Sequence, residues 1–131
     1  MRNSIFYAFA ASYAEETGAD RIIGGHNLDD QEVFDDVSPK FFLALEKSFR
    51  AGSPVLRRRR MRILRPLSRW RKPEVIRLAA SMGVPMELTW SCYGDGEEHC
   101  WKCDGCVSRR KAFLKAGIED PLAPMEPGKI T

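Results

Sequence analysis

The stretch Arg21–Asp30, RIIGGHNLDD, gives the strongest indication of the fold. It begins with a short apolar run after a helical pattern, which is typical of a buried strand in a parallel sheet. The run ends in two glycines, and the chain becomes polar from His26 onward. In open α/β sheets, ligands bind beyond the carboxyl ends of the strands, so this polar cluster is a candidate site. The alternative is that Asn27 and Asp30 only form a turn and cap a helix.

Helical patterns lie on both sides of this strand. Residues 4–16 are predicted to form a helix that Gly18 ends, with one buried face made of Ile5, Phe6, Phe9, Ala10 and Tyr13. The pair Ser38-Pro39 predicts the N-cap and first residue of a second helix. That helix is expected to end near Gly52 and to turn inward the side chains of Phe42, Leu45 and Phe49.

Further along the chain, a second strand is predicted at residues 61–64 and a third near Met86–Leu88. A third helix is expected from Pro73 to Gly83, burying Val75, Leu78, Ala79 and Met82, and a last helix over Val107–Ala116. The tail, residues 120–131, is expected to be extended or loosely ordered. A doubly wound sheet usually has about five or six strands. The sequence therefore predicts an α/β fold that is either part of a larger parallel sheet or an unusually small one.

All four cysteines lie in one window, SCYGDGEEHCWKCDGC, at Cys92, Cys100, Cys103 and Cys106. Four closely spaced thiolates are the ligand set of one tetrahedral zinc ion, and such a site has no open coordination position. Two disulfides, an iron–sulfur cluster and a redox Cys-x-x-Cys pair are the alternatives. We expect a structural zinc site, with His99 as a bystander.

Length and composition suit one soluble domain without a membrane span. The chain has 131 residues, 44% hydrophobic and 30% charged. We expect a cytoplasmic location, where thiols stay reduced. Within one compact domain, residues 1–88 are predicted to form the α/β region, and residues 89–131 the zinc-binding segment.

The net charge is only +3, but charge is unevenly distributed. An acidic stretch contains Asp29, Asp30, Glu32, Asp35 and Asp36. A basic run, which we define as Arg57–Lys72, contains no acidic residue. The two stretches are either solvated surfaces that face each other, or the basic run binds an anion such as nucleotide phosphate or RNA.

Four segments, in this order, resemble the 7-cyano-7-deazaguanine synthase family of queuosine and archaeosine biosynthesis. They are Arg2-Asn3 at the start of a helix, Gly25-His26-Asn27-Leu28-Asp29-Asp30, Arg65-Pro66-Leu67 with Lys72-Pro73-Glu74, and Thr89-Trp90-Ser91-Cys92 with the three later cysteines. The resemblance covers nearly the whole chain. It implies an adenine nucleotide alpha hydrolase-like, Rossmann-like sheet with helices and a C-terminal zinc-binding helical segment.

The resemblance also implies an activity. The family's ligases use ATP, with Mg²⁺, to activate 7-carboxy-7-deazaguanine as an acyl adenylate, and ammonia then leads to the amide and the nitrile. Lys72 and Asp30 would be the catalytic residues, and the substrate or nucleotide would be bound by Arg2, Asn3, His26, Asn27 and Asp30. The cysteines would bind zinc. We also expect a homo-oligomer.

The sequence departs from the family's pattern after Asp30, in Gln31-Glu32-Val33-Phe34-Asp35-Asp36, and at the phosphate loop. The family's serine–glycine–glycine–x–aspartate–serine loop, which holds the ATP pyrophosphate, has no counterpart here. We therefore expect the C-terminal half of a split or truncated enzyme, inactive without a separate ATP-loop half. The alternatives are a zinc-stabilised RNA-binding module, with direct RNA binding the less favoured, and a non-catalytic interaction module.

Overall fold

The structure is a computed structural model that describes residues 1–124. The rest of the predicted tail, residues 125–131, lies outside the described residues. The chain forms two compact units, Met1–Arg71 and the residues from Lys72 onward. This boundary differs from the predicted division between residues 88 and 89, because the helix that begins at Lys72 packs with the last helix. None of the described helices has the length and apolar character needed to cross a membrane.

The first unit contains a two-stranded parallel sheet and four helices. In chain order, its elements are α1 (Arg2–Thr17), β1 (Arg21–Ile23), α2 (Leu28–Val33), α3 (Pro39–Gly52), α4 (Pro54–Arg58) and β2 (Arg62–Leu64), with a 3₁₀ turn at Asp35–Val37. The two strands pair in parallel, with Ile22 opposite Ile63. The α/β class and both of these predicted strands are confirmed.

The buried face of α1 is not the predicted one. The helix buries Tyr7, Ala11 and Ala14, whereas the predicted side chains of Ile5, Phe6, Phe9 and Tyr13 are 59–74% exposed. Apolar residues occur around most of the circumference of α1, so periodicity alone did not distinguish the two faces. Its end at Gly18 is as predicted, with a left-handed φ of 71°.

Helix α3 begins and packs as its sequence predicts. The Ser38 hydroxyl accepts a hydrogen bond from the Phe41 N–H at 3.2 Å, and Pro39 is the first helical residue. Phe42 is almost completely buried, and Leu45 and Phe49 pack against the same core. That core contains the buried side chains Tyr7, Ala11, Ala14, Val37, Phe42, Leu56, Met61 and Ile63.

One carboxylate lies inside this unit, on Glu46 of α3, which is only 4% exposed. Its Oε1 accepts a hydrogen bond from the Ile63 N–H of β2 at 2.7 Å. The guanidinium of Arg62 lies 3.1 Å from its other oxygen, and that of Arg50 lies 3.7 Å away. Glu46 therefore satisfies a strand amide that would otherwise need a neighbouring strand.

The second unit is helical in its described part. It contains α5 (Lys72–Ser81), a 3₁₀ turn at Met86–Leu88 and α6 (Asp104–Ala116). Helices α5 and α6 pack through Ile76, Ala112 and Phe113. Gly83 follows α5 with a left-handed φ of 68°, but Met82, predicted to be buried, is 70% exposed. The predicted third strand is wrong, because the Leu88 and Thr89 amides bond back to Pro85 and Met86 and close a tight turn.

A buried ion pair joins α6 to the start of the tail. Arg109 donates from Nε and Nη2 to the Asp120 carboxylate at 2.6 and 2.7 Å, and both residues are buried. Arg109 also donates to the Thr89 hydroxyl at 2.7 Å. The tail was expected to be loosely ordered, but Asp120 is held in place because a buried guanidinium needs an anionic partner.

Replacement of Glu46 by leucine is expected to lower the free energy of unfolding by about 1–3 kcal/mol, because the buried Ile63 N–H loses its acceptor. Glu46→Gln keeps a carbonyl oxygen at that position and should lose less. Urea denaturation followed by circular dichroism measures both. Equal stability of the leucine variant and the wild type would contradict the assigned role.

Candidate functional site

The four cysteine sulfurs converge in the second unit. Their Sγ atoms all lie within 4.8 Å of one another, and Cys100 and Cys106 are 4.0 Å apart. A tetrahedral zinc ion bound at about 2.3 Å places its sulfurs about 3.8 Å apart, so small movements would complete the site. Cys92 and Cys106 are buried, and the other two are partly exposed. The four cysteines are thus close enough to hold one metal ion, and they fit structural zinc.

Two backbone features make this convergence possible. Trp101, between Cys100 and Cys103, has a left-handed φ of 56°, which turns the chain sharply between those ligands. Gly105 precedes Cys106 in the first turn of α6, and a Cβ there would collide with the Ser91 carbonyl oxygen. A glycine at residue 105 therefore allows α6 to approach the segment that carries Cys92.

Backbone amides surround the sulfurs. The N–H groups of Gly94 and Cys100 point to the Cys92 sulfur at 3.3 and 3.4 Å, and that of Tyr93 points to the Cys103 sulfur at 3.5 Å. The Tyr93 hydrogen bond is the main cause that lowers the pKa of Cys103 to about 6, whereas burial raises the pKa of Cys106 to about 12. Such N–H donors stabilise thiolates, the form that binds metal.

His99 lies beside this site and is buried, but it does not belong to the four-sulfur group. Its Nε2 accepts a hydrogen bond from the Ser91 N–H at 3.1 Å. Its ring contacts the indoles of Trp90 and Trp101, with centroid distances of 4.4 and 5.3 Å. His99 therefore orders the loop through packing and a backbone hydrogen bond.

At the end of β1, Asn27 and Asp30 form a reciprocal cap on α2. The Asn27 Oδ1 accepts from the Asp30 N–H, and the Asp30 Oδ2 accepts from the Asn27 N–H, both at 3.1 Å. The cap uses one polar atom of each side chain. The helix cap, which the sequence analysis gave as the alternative to a binding site, is therefore present. A binding role for these two residues stays a prediction.

His26 and Gly24 lie against aromatic side chains in the same unit. The His26 ring is 5.9 Å from that of Tyr7 and 5.3 Å from that of Phe42, and burial lowers the pKa of His26. A Cβ at Gly24 would collide with the Tyr7 hydroxyl, so β1 ends in close contact with α1. Arg65, which follows β2, lies over the Phe42 ring at 4.7 Å.

The remaining predicted site residues divide between the two units. Arg2 is exposed at the start of α1, and the Asn3 N–H lies 3.3 Å from the Asp36 carboxylate. In the second unit, Lys72 donates to the Ser108 hydroxyl at 3.0 Å. Sequence reasoning missed Ser108, because the contact spans 36 positions and no local pattern marks it. A role for Arg2, Asn3 or Lys72 with substrate stays a prediction.

The acidic stretch and the basic run do meet within the first unit. Arg71 donates to Asp29 and to Glu32, each at 2.7 Å. The hydrogen bond from Arg71 lowers the pKa of Glu32, and the two carboxylates raise the pKa of Arg71. The interpretation that the acidic stretch and the basic run face each other is therefore confirmed at Arg71.

Comparison with known proteins gives consistent matches along the chain. The family model described as "Queuosine biosynthesis protein QueC" matches residues 1–117. A 7-cyano-7-deazaguanine synthase of Thermoplasma acidophilum is 44% identical over 121 residues, which are 92% of this chain and 51% of the relative. Those of Trichodesmium erythraeum and Methanothrix thermoacetophila are 43% and 40% identical over 92% of this chain, and over 55% and 53% of their own lengths. The chain spans about half the length of these curated relatives.

Replacement of Cys103 by serine is expected to abolish metal binding and to unfold the loop around it, because structural zinc contributes about 10–16 kcal/mol in small peptide sites. Zinc content and a thermal melt measure the effect. Lys102→Ser is the matched control, since Lys102 is exposed in the same loop. A Cys103→Ser melt that coincides with that of the control would refute a folding role for the metal.

Proposed function

The chain belongs to the QueC family of queuosine biosynthesis proteins, and from this premise we propose that it works as part of a 7-cyano-7-deazaguanine synthase. The proposed reaction is the ATP-dependent conversion of 7-carboxy-7-deazaguanine and ammonia to the nitrile. The observation that carries the proposal is the match over 92% of the chain to relatives that are named for this product. The four convergent cysteines agree with it, because they are the zinc ligands that the sequence resemblance implies.

The chemistry explains the need for ATP. A carboxylate is a poor electrophile, so its oxygen would first attack the α-phosphorus of ATP and release pyrophosphate. Ammonia would then add to the acyl carbon and expel AMP, which leaves the amide. A second ATP would adenylate the amide oxygen and release pyrophosphate. That oxygen would then leave as part of AMP while the nitrogen loses its two protons, which gives the nitrile. In both activations, positive charge near the phosphates would stabilise the charge that builds up on them.

We assign the cationic role to Lys72 and the polar contacts at the end of β1 to Asp30, Asn27 and His26. Support for Lys72 comes from its contact with Ser108, which restrains a flexible ammonium group at the start of α5. Support for Asp30 comes from the cap, which fixes the carboxylate while using only one of its oxygens. Arg2 and Asn3 complete the proposed set of substrate or nucleotide contacts.

Zinc has a structural role in this proposal. Cys92, Cys100, Cys103 and Cys106 would fill all four positions of the ion, which leaves none for a reacting group. The metal would therefore hold the loop before α6 in shape, while ATP would enter with Mg²⁺. The need for four reduced thiols supports a cytoplasmic location.

The proposed activity also needs a polypeptide that corresponds to the rest of the relatives' length. The chain matches 51% of the Thermoplasma acidophilum enzyme, and it carries no serine–glycine–glycine phosphate loop. Backbone N–H groups at the start of a helix are the usual means of holding a pyrophosphate. We propose that the half of the relatives' length that this chain does not match supplies these N–H groups.

A second candidate function is RNA binding, which one surface feature favours. Arg57, Arg58, Arg59 and Arg60 are consecutive and exposed, and no ion pair to them is found in the part of the chain that the structure describes. If they bind RNA, affinity should fall steeply with salt, because each neutralised phosphate releases counterions. Filter binding of tRNA between 50 and 200 mM salt tests this, and an affinity independent of salt would reject it.

The reaction can be tested by mixing this chain with the unmatched half of the Thermoplasma acidophilum enzyme, ATP, Mg²⁺, ammonium and 7-carboxy-7-deazaguanine. Mass spectrometry should detect the nitrile. Lys72→Met is expected to lower the rate by roughly 10²–10³-fold, as removal of a charge-stabilising donor does in other active sites.

Ser108→Ala is the control, since it removes the oxygen that holds Lys72 and keeps the ammonium group. It should change the rate much less than Lys72→Met. Formation of the nitrile at an unchanged rate by Lys72→Met would remove Lys72 from the mechanism, and failure of every mixture to form the amide or nitrile would reject the proposed function.

A further inference from the structure

Three polar side chains surround the Phe42 ring at one end of the parallel sheet in the first unit. His26 lies shortly after β1, Arg65 comes directly after β2, and Tyr7 lies on the buried face of α1. The rings of Tyr7 and His26 are 5.0 and 5.3 Å from that of Phe42. The guanidinium carbon of Arg65 lies 4.7 Å from the same ring. A hydroxyl, an imidazole and a guanidinium are therefore gathered at the carboxyl ends of both strands.

The guanidinium of Arg65 is shielded from water without a hydrogen-bond partner. Its Nε and Nη1 atoms are buried, and neither donates to any group within residues 1–124. No ion pair of Arg65 is found in that part of the chain either. The contact with the Phe42 ring recovers only part of the cost of removing a guanidinium from water. Two donors of a permanent cation are thus left unused by the described residues.

The acidic side chains that act on this cluster are already engaged. Burial lowers the pKa of His26, and the carboxylates of Asp30 and Asp36 oppose this shift. In the cap of α2, the Asp30 carboxylate accepts a backbone N–H, and that of Asp36 accepts the Asn3 N–H at 3.3 Å. Neither carboxylate pairs with Arg65 in the described part of the chain. Because a buried charge needs an opposite charge and hydrogen bonds, a partner is expected from outside these residues.

We propose that Arg65, His26 and Tyr7 form a binding site for an oxyanion, which is the carboxylate or phosphate group of a small ligand. Arg65 supplies the charge, and the other two side chains supply an N–H and an O–H donor. Arg65 is only half-buried as a residue, so a rotation of its long side chain brings the shielded N–H groups to such a ligand. A Cβ at Gly25, next to His26, would meet nothing within 4 Å, so the backbone beside the site is open.

The protonation states of His26 and Tyr7 agree with a role as donors. Burial lowers the pKa of His26 and raises that of Tyr7, although the charge of Arg65 opposes the shift at Tyr7. Both side chains are therefore uncharged at neutral pH and keep a proton to donate. Within residues 1–124, neither the imidazole nor the hydroxyl forms a hydrogen bond.

Two oxyanions of the proposed reaction are candidates for this site: the carboxylate of 7-carboxy-7-deazaguanine and the phosphates of ATP. Arginine binds both classes of anion through charge-assisted hydrogen bonds. Ligands of open α/β sheets bind beyond the carboxyl ends of the strands, which is where this cluster lies. The site itself rests on the geometry of the first unit, whereas the choice between these two ligands rests on the proposed function.

Nuclear magnetic resonance of the ¹⁵N-labelled chain can observe Arg65 directly. Its Nε–H signal should shift in a saturable way when inorganic phosphate or acetate is added. The Nε–H signal of Arg69, which is exposed, should not saturate. Tyr7→Phe removes only the hydroxyl and should weaken this binding by several-fold. These simple anions are not substrates, so the result does not depend on the assigned reaction.

A variant of Arg65 separates ligand binding from a structural role. Arg65→Met keeps an apolar side chain over Phe42 and should weaken binding of the anion by at least roughly tenfold, because hydrogen bonds to charged groups are lost. Without ligand, this variant should melt at the same or a higher temperature than the wild type, since it removes an unpartnered buried charge. Arg69→Met makes the same change in net charge at an exposed position and should alter neither property.

Paired ligands identify the source of the oxyanion. Isothermal titration calorimetry would compare 7-carboxy-7-deazaguanine with 7-deazaguanine, and AMP with adenosine. If the site binds the substrate carboxylate, Arg65→Met should lower affinity for 7-carboxy-7-deazaguanine and leave that for 7-deazaguanine unchanged. If the site binds phosphate, the loss should be confined to AMP.

Three results would overturn the proposal. One is the absence of a saturable shift of the Arg65 Nε–H signal with phosphate, acetate, 7-carboxy-7-deazaguanine and AMP alike. Another is an unchanged affinity of Arg65→Met for the anion that binds. The third is a clearly lower melting temperature of that variant, which would show that the fold itself uses the guanidinium. A saturable shift with phosphate or acetate in a chain that forms no nitrile would retain the site and reject only the proposed function.

Discussion

The first unit is organised around the hydrogen bonds of a very short parallel pair. Strands β1 and β2 have three residues each, and every backbone group on their edges must find a partner or remain in water. Glu46 meets this requirement at β2 by placing a carboxylate inside the protein, where two guanidinium groups balance its charge. Helix α3 therefore performs two tasks, because it covers the sheet with Phe42 and closes one edge with Glu46.

The second unit has a small apolar cluster and is stabilised mainly by other contacts. A small cluster at Ile76, Ala112 and Phe113 joins α5 to α6, and polar contacts hold the segments around it. The Arg109–Asp120 pair joins α6 to the tail, and the four sulfurs join the start of α6 to the loop that precedes it. A metal ion there would make the loop rigid where few apolar side chains are available to do so.

Features set by neighbouring residues were predicted correctly from the sequence, whereas contacts between residues far apart in the sequence were not predicted. The Ser38-Pro39 start of α3, the left-handed Gly18 and the spacing of the cysteines are local, and the structure confirms each of them. The exposed face of α1 was predicted to be buried, because apolar residues occupy both faces and only the position of the neighbouring elements decides between them. Glu46 and Arg109 are similar cases. The local sequence around each does not indicate that Glu46 accepts a hydrogen bond from Ile63, 17 positions away, or that Arg109 pairs with Asp120, 11 positions away.

The aromatic packing around His99 has an optical consequence. Two of the chain's three tryptophans, Trp90 and Trp101, contact this imidazole beside the cysteines, and Trp101 lies between two of the four sulfurs in the sequence. Indole emission depends on solvent contact and on nearby quenching groups, so the fluorescence of Trp90 and Trp101 would change when this loop becomes disordered. The order of the cysteine loop could thus be followed in real time, at low concentration and without an added dye.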